Sequence, residues 1–242
     1  MTTPTDGTDA ADWRDDHRWG TPPPLELVNG DEVVRRLVVV SAHPDDESLG
    51  GGGLIALASR LGLTVYVVLL TAGESSHPSR DGMTRHALAT TRLAEMENAL
   101  ARLAPDAPLV FLGAIDGEVA TSEDAIAGAL ADLLGESGPH TMLLAPWRHD
   151  GPPDHEAAGR AAAEAARRTG ALLVEYPLSF WRHARPDDAP WSSMRRVDLD
   201  DSLREVKAAA IRCHSSQAAA LSGRLLSHFT SEFEHYVVVA PA

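Results

Sequence analysis

Leu37-Val38-Val39-Val40 is a continuous apolar run, mostly β-branched, that stops at His43-Pro44. It lacks the alternation of a half-exposed strand, so it reads as a short strand buried on both faces, which needs helices on both sides of its sheet. The pattern then repeats. Leu54 to Leu61 reads as a helix and Leu63 to Leu70 as a strand ending at Thr71-Ala72-Gly73-Glu74. Met83 to Leu103 reads as a helix, Pro108 to Leu112 as a strand, Ser122 to Leu134 as a helix with Ser122 as candidate N-cap, and His140 to Ala145 as a strand. Ala157 to Arg168 is an alanine-rich helix, Ala171 to Glu175 a strand, Arg195 to Leu199 an edge strand, Leu203 to His214 a helix and Tyr236 to Val239 a last strand. Such alternation predicts a Rossmann-like three-layer α/β/α sandwich, a single domain around a mostly parallel sheet, and 242 residues suit that size.

Residues 1–31 mix Pro, Thr, Asp and Gly without periodicity and read as an N-terminal arm, leaving 32–242 as the domain. Thr21-Pro22-Pro23-Pro24 blocks helix and central strand, and Trp13 and Trp19 are candidates to anchor the arm on the domain or on a neighbouring subunit. The polar, Pro-containing stretch Arg182 to Ser193 reads as a long functional loop or a surface excursion.

A net charge of −14 repels phosphate backbones and anionic lipid, which argues against nucleic-acid and membrane partners. The lone Cys213 can form neither an internal disulfide nor a thiolate zinc site, and fits a reducing cytoplasm. The first residues carry acids where a signal peptide needs basic ones, and no apolar stretch approaches membrane-spanning length. The expected location is cytoplasmic.

In open α/β sheets ligands bind at the carboxyl ends of the strands. The first strand ends in Ser41-Ala42-His43-Pro44-Asp45-Asp46-Glu47, one imidazole and three carboxylates in one turn. Like charges so crowded call for a cation, and a helix cap alone does not require all four. A second cluster, Trp147-Arg148-His149-Asp150-Gly151-Pro152-Pro153-Asp154-His155-Glu156, follows another strand. Two histidines and a carboxylate drawn from both clusters leave a coordination position for water, as in catalytic zinc sites. Taken singly, His149 or His155 reads as a surface or capping residue; paired with the first cluster, His155 becomes a ligand candidate. Gly51-Gly52-Gly53-Leu54-Ile55-Ala56 formally fits a dinucleotide-binding G-x-G-x-x-A, with Glu74 as a ribose acid. The intervening carboxylates would repel a pyrophosphate, and the glycines read better as tight packing beneath a metal site. No G-x-S-x-G elbow supports a serine hydrolase.

These residues resemble the PIG-L, or LmbE-like, zinc-dependent N-acetylglucosaminyl deacetylases. The resemblance rests on His43-Pro44-Asp45-Asp46-Glu47, Thr71-Ala72-Gly73-Glu74, Asp116 in Gly113-Ala114-Ile115-Asp116-Gly117 and Pro153-Asp154-His155, with weaker echoes in Glu175-Tyr176-Pro177 and from Lys207 to His214-Ser215-Ser216-Gln217. It implies that His43, Asp46 and His155 bind zinc, a donor set that also suits Fe(II), and that Asp45 is the general base. It sets Glu47, Arg92 and Asp116 beside the substrate, Glu47 as a turn-orienting residue; Arg92 could instead pair with Glu95 on its own helix. The expected activity is removal of an N-acyl group, N-acetyl above all, from an amino sugar or glycoconjugate in natural-product or thiol-cofactor metabolism; the resemblance also allows a homo-oligomer. The chain departs from the family at Pro152, where a histidine that stabilises the oxyanion or acts as acid is expected. Either zinc with Arg148 or His149 supplies that function, or the enzyme is slow, or the chain is a zinc-retaining binding protein without catalysis.

Overall fold

The structure is a computed structural model, which describes residues 8–76, 84–217 and 223–238. Met83 and Val239, included above in a helix and a strand, lie outside the described residues. The chain enters through helix α1 (Ala10–Arg14) and an antiparallel pair, β1 (Val28–Asn29) and β2 (Glu32–Val33). It continues through β3 (Arg36–Ser41), α2 (Asp46–Arg60), β4 (Thr64–Leu69), α3 (Arg85–Leu103), β5 (Leu109–Phe111), α4 (Glu123–Leu134), β6 (Thr141–Pro146) and α5 (Pro153–Thr169). It closes with β7 (Leu172–Tyr176), α6 (Phe180–His183), β8 (Met194–Asp198), α7 (Asp201–Ile211), α8 (Gly223–Phe229) and β9 (Phe233–Val238).

Seven strands form one sheet in the order β5-β4-β3-β6-β7-β9-β8. The pairs from β5 through β7 are parallel, and β9 inserts antiparallel between β7 and β8. The sheet is therefore mostly parallel, with β8 as its outer strand. Leu37 and Val39 of β3 face a layer containing Leu54, Met96 and Leu203, whereas Val38 and Val40 face Ile126, Leu130 and Ala161. Apolar packing on both faces is the physical cause of the uninterrupted apolar run.

Two helix starts differ from the sequence reading, and both matter for the site. Helix α2 begins at Asp46, not Leu54, and runs through all four glycines. Gly50 to Gly53 are not a loop but the contact face of a helix pressed onto its neighbours. A Cβ at Gly50 would overlap the Tyr176 ring, and one at Gly51 would lie 2.7 Å from Leu144. The helix accepts glycine's propensity penalty to gain that approach. The arrangement also ends the dinucleotide-binding reading: these glycines are buried inside a helix, their Cβ space filled by protein, and cannot cradle a phosphate. Helix α5 begins at Pro153, not Ala157, because proline at the first helical position is preset for helical φ. Ser122 does precede α4, but makes no capping hydrogen bond.

The close approach at Gly50 makes a prediction. Tyr176 is fully buried and its hydroxyl donates to Val40 O at 2.7 Å, so the ring cannot step aside. Gly50→Ala should destabilise the protein by about 1–3 kcal/mol through overpacking, despite alanine's better helix propensity. Urea denaturation checks this; an unchanged or raised midpoint would show that the helix can shift.

Trp13 and Trp19 pack into the same apolar layer as Leu37, so the segment carrying them is anchored on its own chain. Leu25 N donates to Arg196 O and Arg196 N to Pro23 O, laying the proline run along the outer strand β8, where missing N–H donors do no harm and the sheet edge is covered. The 182–193 stretch is not open. It folds into α6 and two single-turn 3₁₀ segments, with Trp191 6.3 Å from the Trp13 ring and Asp187 paired to Arg18 at 2.7 Å.

Candidate metal centre

Strands β4 and β5 lie to one side of β3, and β6 and β7 to the other, so strand order reverses between β3 and β6. A crevice opens at the carboxyl ends of two such strands. His43, Asp45 and Asp46 enter it from the end of β3, and Asp154 and His155 from the first turn of α5 after β6. His155 Nε2 lies 3.4 Å from Asp46 Oδ1, and His43 Nδ1 lies 3.8 Å from Asp46 Oδ2. One ligand atom from each of the three residues falls within 4.8 Å of the others.

The outer nitrogens of both rings are held by carboxylates. His155 Nδ1 sits 2.7 Å from Asp150 Oδ2, which fixes that nitrogen as donor and leaves Nε2 facing Asp46. Asp150 is itself held by the N–H groups of Leu178, Ser179 and Phe180 at 2.7–3.0 Å. His43 Nε2 lies 3.1 Å from Asp116 Oδ1 and 3.2 Å from Asp154 Oδ2, and Asp154 also accepts from Gly117 N and Val119 N. Metal-binding histidines regularly have the second nitrogen secured in this way. His43, Asp116 and Asp154 could also be grouped as a cation site, but their mutual hydrogen bonds and the two N–H groups on Asp154 mark them as the support of the His43 ring.

The electrostatics agree. Burial alone would lower the His43 imidazole, yet hydrogen bonds to Asp116 and Asp154 and the nearby Asp46 push it up to about 9. Burial likewise works against a charged His155, and Asp46 and Asp150 still hold it well above its ordinary value. Burial would raise Asp46, but His155 and His43 keep it well below the usual carboxylate range. The cluster attracts positive charge, and a divalent ion with neutral imidazoles satisfies the same field. Two nitrogens and one oxygen with an open side fit catalytic zinc, and fit Fe(II) as well.

Asp45 is set apart from the three. Its φ of 114° places it in the left-handed region, the one non-glycine there among the described residues. Although it occupies the N-cap position of α2, its side chain makes no cap bond. Its N–H donates to Glu47 Oε2 at 3.1 Å, and Arg92 reaches its Oδ1 at 3.3 Å. Burial, opposed by Arg92 and reinforced by Asp46, pushes its carboxyl up to about 6. A strained, uncapping carboxylate beside the cluster is free to handle protons.

Three assigned roles meet a different geometry. Arg92 is buried, donating to Gly73 O at 2.9 Å and Pro44 O at 2.6 Å, so it holds the turn rather than facing a substrate. Its guanidinium fills the space a side chain at residue 73 would need, which only glycine at φ 63° leaves open. Nor does it pair with Glu95, which accepts from Ser215 and Ser216 instead. Glu47 is fully buried under the turn, accepting from Ser48 Oγ at 2.6 Å and facing His214 Nε2 at 3.0 Å, so it does not line a substrate site, while its bond from Asp45 N is the turn-orienting role expected of it. These three groups do not form a nucleophilic triad: Ser48 is buried, and both it and Glu47 meet the same nitrogen of His214. His149 is exposed with its ring 5.6 Å from Trp147, and no described contact joins it to the cluster. Arg148 is engaged by Glu175 through its backbone N–H, Nε and Nη2. Asp116 does reach the crevice, against His43.

Sequence reasoning quoted Asp150 and Asp154 but gave them no role. The available signal was their place, four residues apart, around the His155 turn.

A mostly parallel α/β sheet whose switch point gathers two imidazoles and a carboxylate that could hold a metal, with a second carboxylate beside them, defines an enzyme with a candidate mononuclear metal centre. By its sequence the chain belongs to the GlcNAc-PI de-N-acetylase (PIG-L) family, whose model matches residues 38–166. It is 32% identical to a 1D-myo-inositol 2-acetamido-2-deoxy-alpha-D-glucopyranoside deacetylase of Mycobacterium sp. (strain KMS), over 87% of this chain and 85% of that one. Among solved structures, an N,N'-diacetylchitobiose deacetylase from Pyrococcus horikoshii matches with a TM-score of 0.69 at 21% identity, covering 89% of this chain and 88% of that one. A 4-carboxy-2-hydroxymuconate hydratase from Pseudomonas putida matches with a TM-score of 0.65 at 21% identity, covering 86% and 98%. The last pair shows that this fold carries more than one reaction, so activity must be read from the family and the site. None of the helices searched among the described residues is long and apolar enough to cross a membrane.

Proposed function

We propose that the chain removes the acetyl group from an acetamido sugar on a small polar aglycone, in thiol-cofactor metabolism, with His43, Asp46 and His155 holding zinc and Asp45 as general base. The convergence of those three ligand atoms within 4.8 Å, with Asp45 alongside and outside the set, carries this reading. A divalent ion held there supplies polarisation of the amide carbonyl and acidification of water. Asp45 takes the proton from the attacking water through its carboxylate and returns it to the departing amine nitrogen. Arg92 and Glu47 keep its backbone in the left-handed conformation that aims it. Asp116 lines the crevice where the sugar enters. Fe(II) in place of zinc is the second reading of the same donor set.

The test is amine release from 1D-myo-inositol 2-acetamido-2-deoxy-α-D-glucopyranoside by zinc-reconstituted protein, with N-acetylglucosamine and N,N'-diacetylchitobiose as comparisons. Turnover of the inositol glycoside above the other two is expected. Metal binding without amine release from any of them would favour a binding protein that has lost catalysis.

Pro152 sits at the N-cap of α5, three residues before His155, with φ −64°, a backbone that any residue adopts. If its side chain faces the reacting carbonyl, Pro152→His should raise kcat by at least about tenfold and at most the roughly 10²–10³ that a single oxyanion donor is worth. Of the two candidate substitutes, Arg148 is occupied by Glu175 and His149 remains the exposed one. An unchanged kcat in Pro152→His, with a fall in His149→Ala, would assign the role to His149.

A further inference from the structure

Asp150, which secures His155, depends on the 178–181 segment, whose Leu178, Phe180 and Trp181 are buried in the apolar layer, with Trp181 also packed on His228 at 4.7 Å. The Asp150 carboxylate is fully buried and takes the N–H groups of Leu178, Ser179 and Phe180, the entry to the four-residue helix α6. A helix that short does not hold itself. It is gripped from outside, by the N-terminal segment: Trp13 Nε1 donates to Trp181 O at 2.9 Å, and the Trp13 ring lies 4.8 Å from that of Trp181 and 5.8 Å from that of Phe180. Thr8 N and Oγ1 add hydrogen bonds to Arg182 O and Ala184 O at 3.0 and 2.6 Å. On its other side the Phe180 ring meets Trp147, just after β6, at 4.9 Å. An unbroken set of contacts therefore runs from Trp13 through Phe180 to Asp150 and the His155 ring. Trp19, also buried, contacts Trp181 at 6.0 Å but otherwise packs on His228 and His235 and makes no described contact with Phe180.

We propose that the N-terminal arm is a strut of the metal centre, and that Trp13 is a positioning residue which, through the 178–181 backbone and Asp150, holds His155 in its ligating orientation. The proposal rests on the reading of His155 as a metal ligand. Zinc affinity of the full chain, measured by chelator competition, should fall about three- to tenfold in Trp13→Leu and in Phe180→Leu, and stay within twofold in Trp19→Leu. Asp150→Asn is the positive control, with the 10–100-fold loss expected when a ligand's carboxylate partner is removed. A second reading needs no metal. In metal-free protein the His155 Nδ1 proton, assigned by His155→Gln, should give a slowly exchanging low-field NMR signal that Trp13→Leu broadens or removes and Trp19→Leu keeps. Should Trp13→Leu fail to fold, Phe180→Leu and the milder Trp13→Phe carry the same comparison. Native affinity and signal in Trp13→Leu and Phe180→Leu, or equal losses in the Trp13 and Trp19 variants, would overturn the strut. If the native chain binds no zinc but the signal still depends on Trp13 and not on Trp19, the metal reading fails while the strut stands.

Discussion

Asp45→Asn is expected to lower kcat by roughly 10²–10⁴-fold, the range of a positioned general base, while zinc content stays at the native level. The substitution keeps the shape of the side chain and removes its ability to take a proton, together with the charge that faces Arg92. The Asp45 backbone is fixed independently of its carboxylate, because Pro44 O is held by Arg92 and Asp45 N by Glu47. The ligating group His43, Asp46 and His155 does not include it, so metal binding has no reason to change. Single-turnover kinetics beside elemental analysis separate the two effects. Full activity in a zinc-loaded Asp45→Asn protein would remove this residue as the base.

The second large effect is on the metal. Asp46→Ala and His155→Ala should each abolish stoichiometric zinc, and His43→Ala should weaken it, because a site of three protein ligands retains little affinity with two. Asp46 contributes twice: its carboxylate faces both imidazoles and also accepts the His43 N–H at 2.9 Å. Its alanine variant therefore loses a ligand and the turn that presents another. Elemental analysis after removal of loose metal, one variant at a time, gives the answer. Native zinc content in all three would mean that the ion sits elsewhere and that the convergence at the switch point has a structural purpose only.

The two predictions concern neighbouring aspartates with opposite fates, and that contrast shows how far the sequence reaches. The His43-Pro44-Asp45-Asp46-Glu47 run announces a cation by charge crowding alone. Its position at a strand's carboxyl end follows from the apolar run before it. What distinguishes Asp45 from Asp46 is the left-handed backbone at Asp45, which turns one carboxylate away from the histidines and leaves the other between them. The local motif supplies only half of that, the Glu47 carboxylate on Asp45 N; the other half is Arg92 from α3, which holds Pro44 O.

The same division explains the misplaced residues. The family resemblance sets Arg92 beside the substrate, with Glu95 as its local alternative partner; its actual partners are carbonyls at residues 44 and 73, distant in sequence. The sequence reading leaves the glycines outside the helix because four in a row oppose one, and the force that keeps them helical is packing against Tyr176 and Leu144.

By itself the sequence determined the alternation of strands and helices, the mostly parallel sheet and the two residue clusters that meet at its switch point. Those features are written in hydrophobic periodicity and in local charge density, which are properties of neighbouring residues. Only the tertiary structure decided which carboxylates orient the two histidines, which charged groups are buried supports, and that Trp13, far from the centre in sequence, packs against the segment that holds Asp150. Those outcomes depend on side-chain contacts that follow no helical or strand repeat, from Asp150 with His155 within one turn to Trp13 with Trp181 across the chain, and such contacts leave no periodic trace.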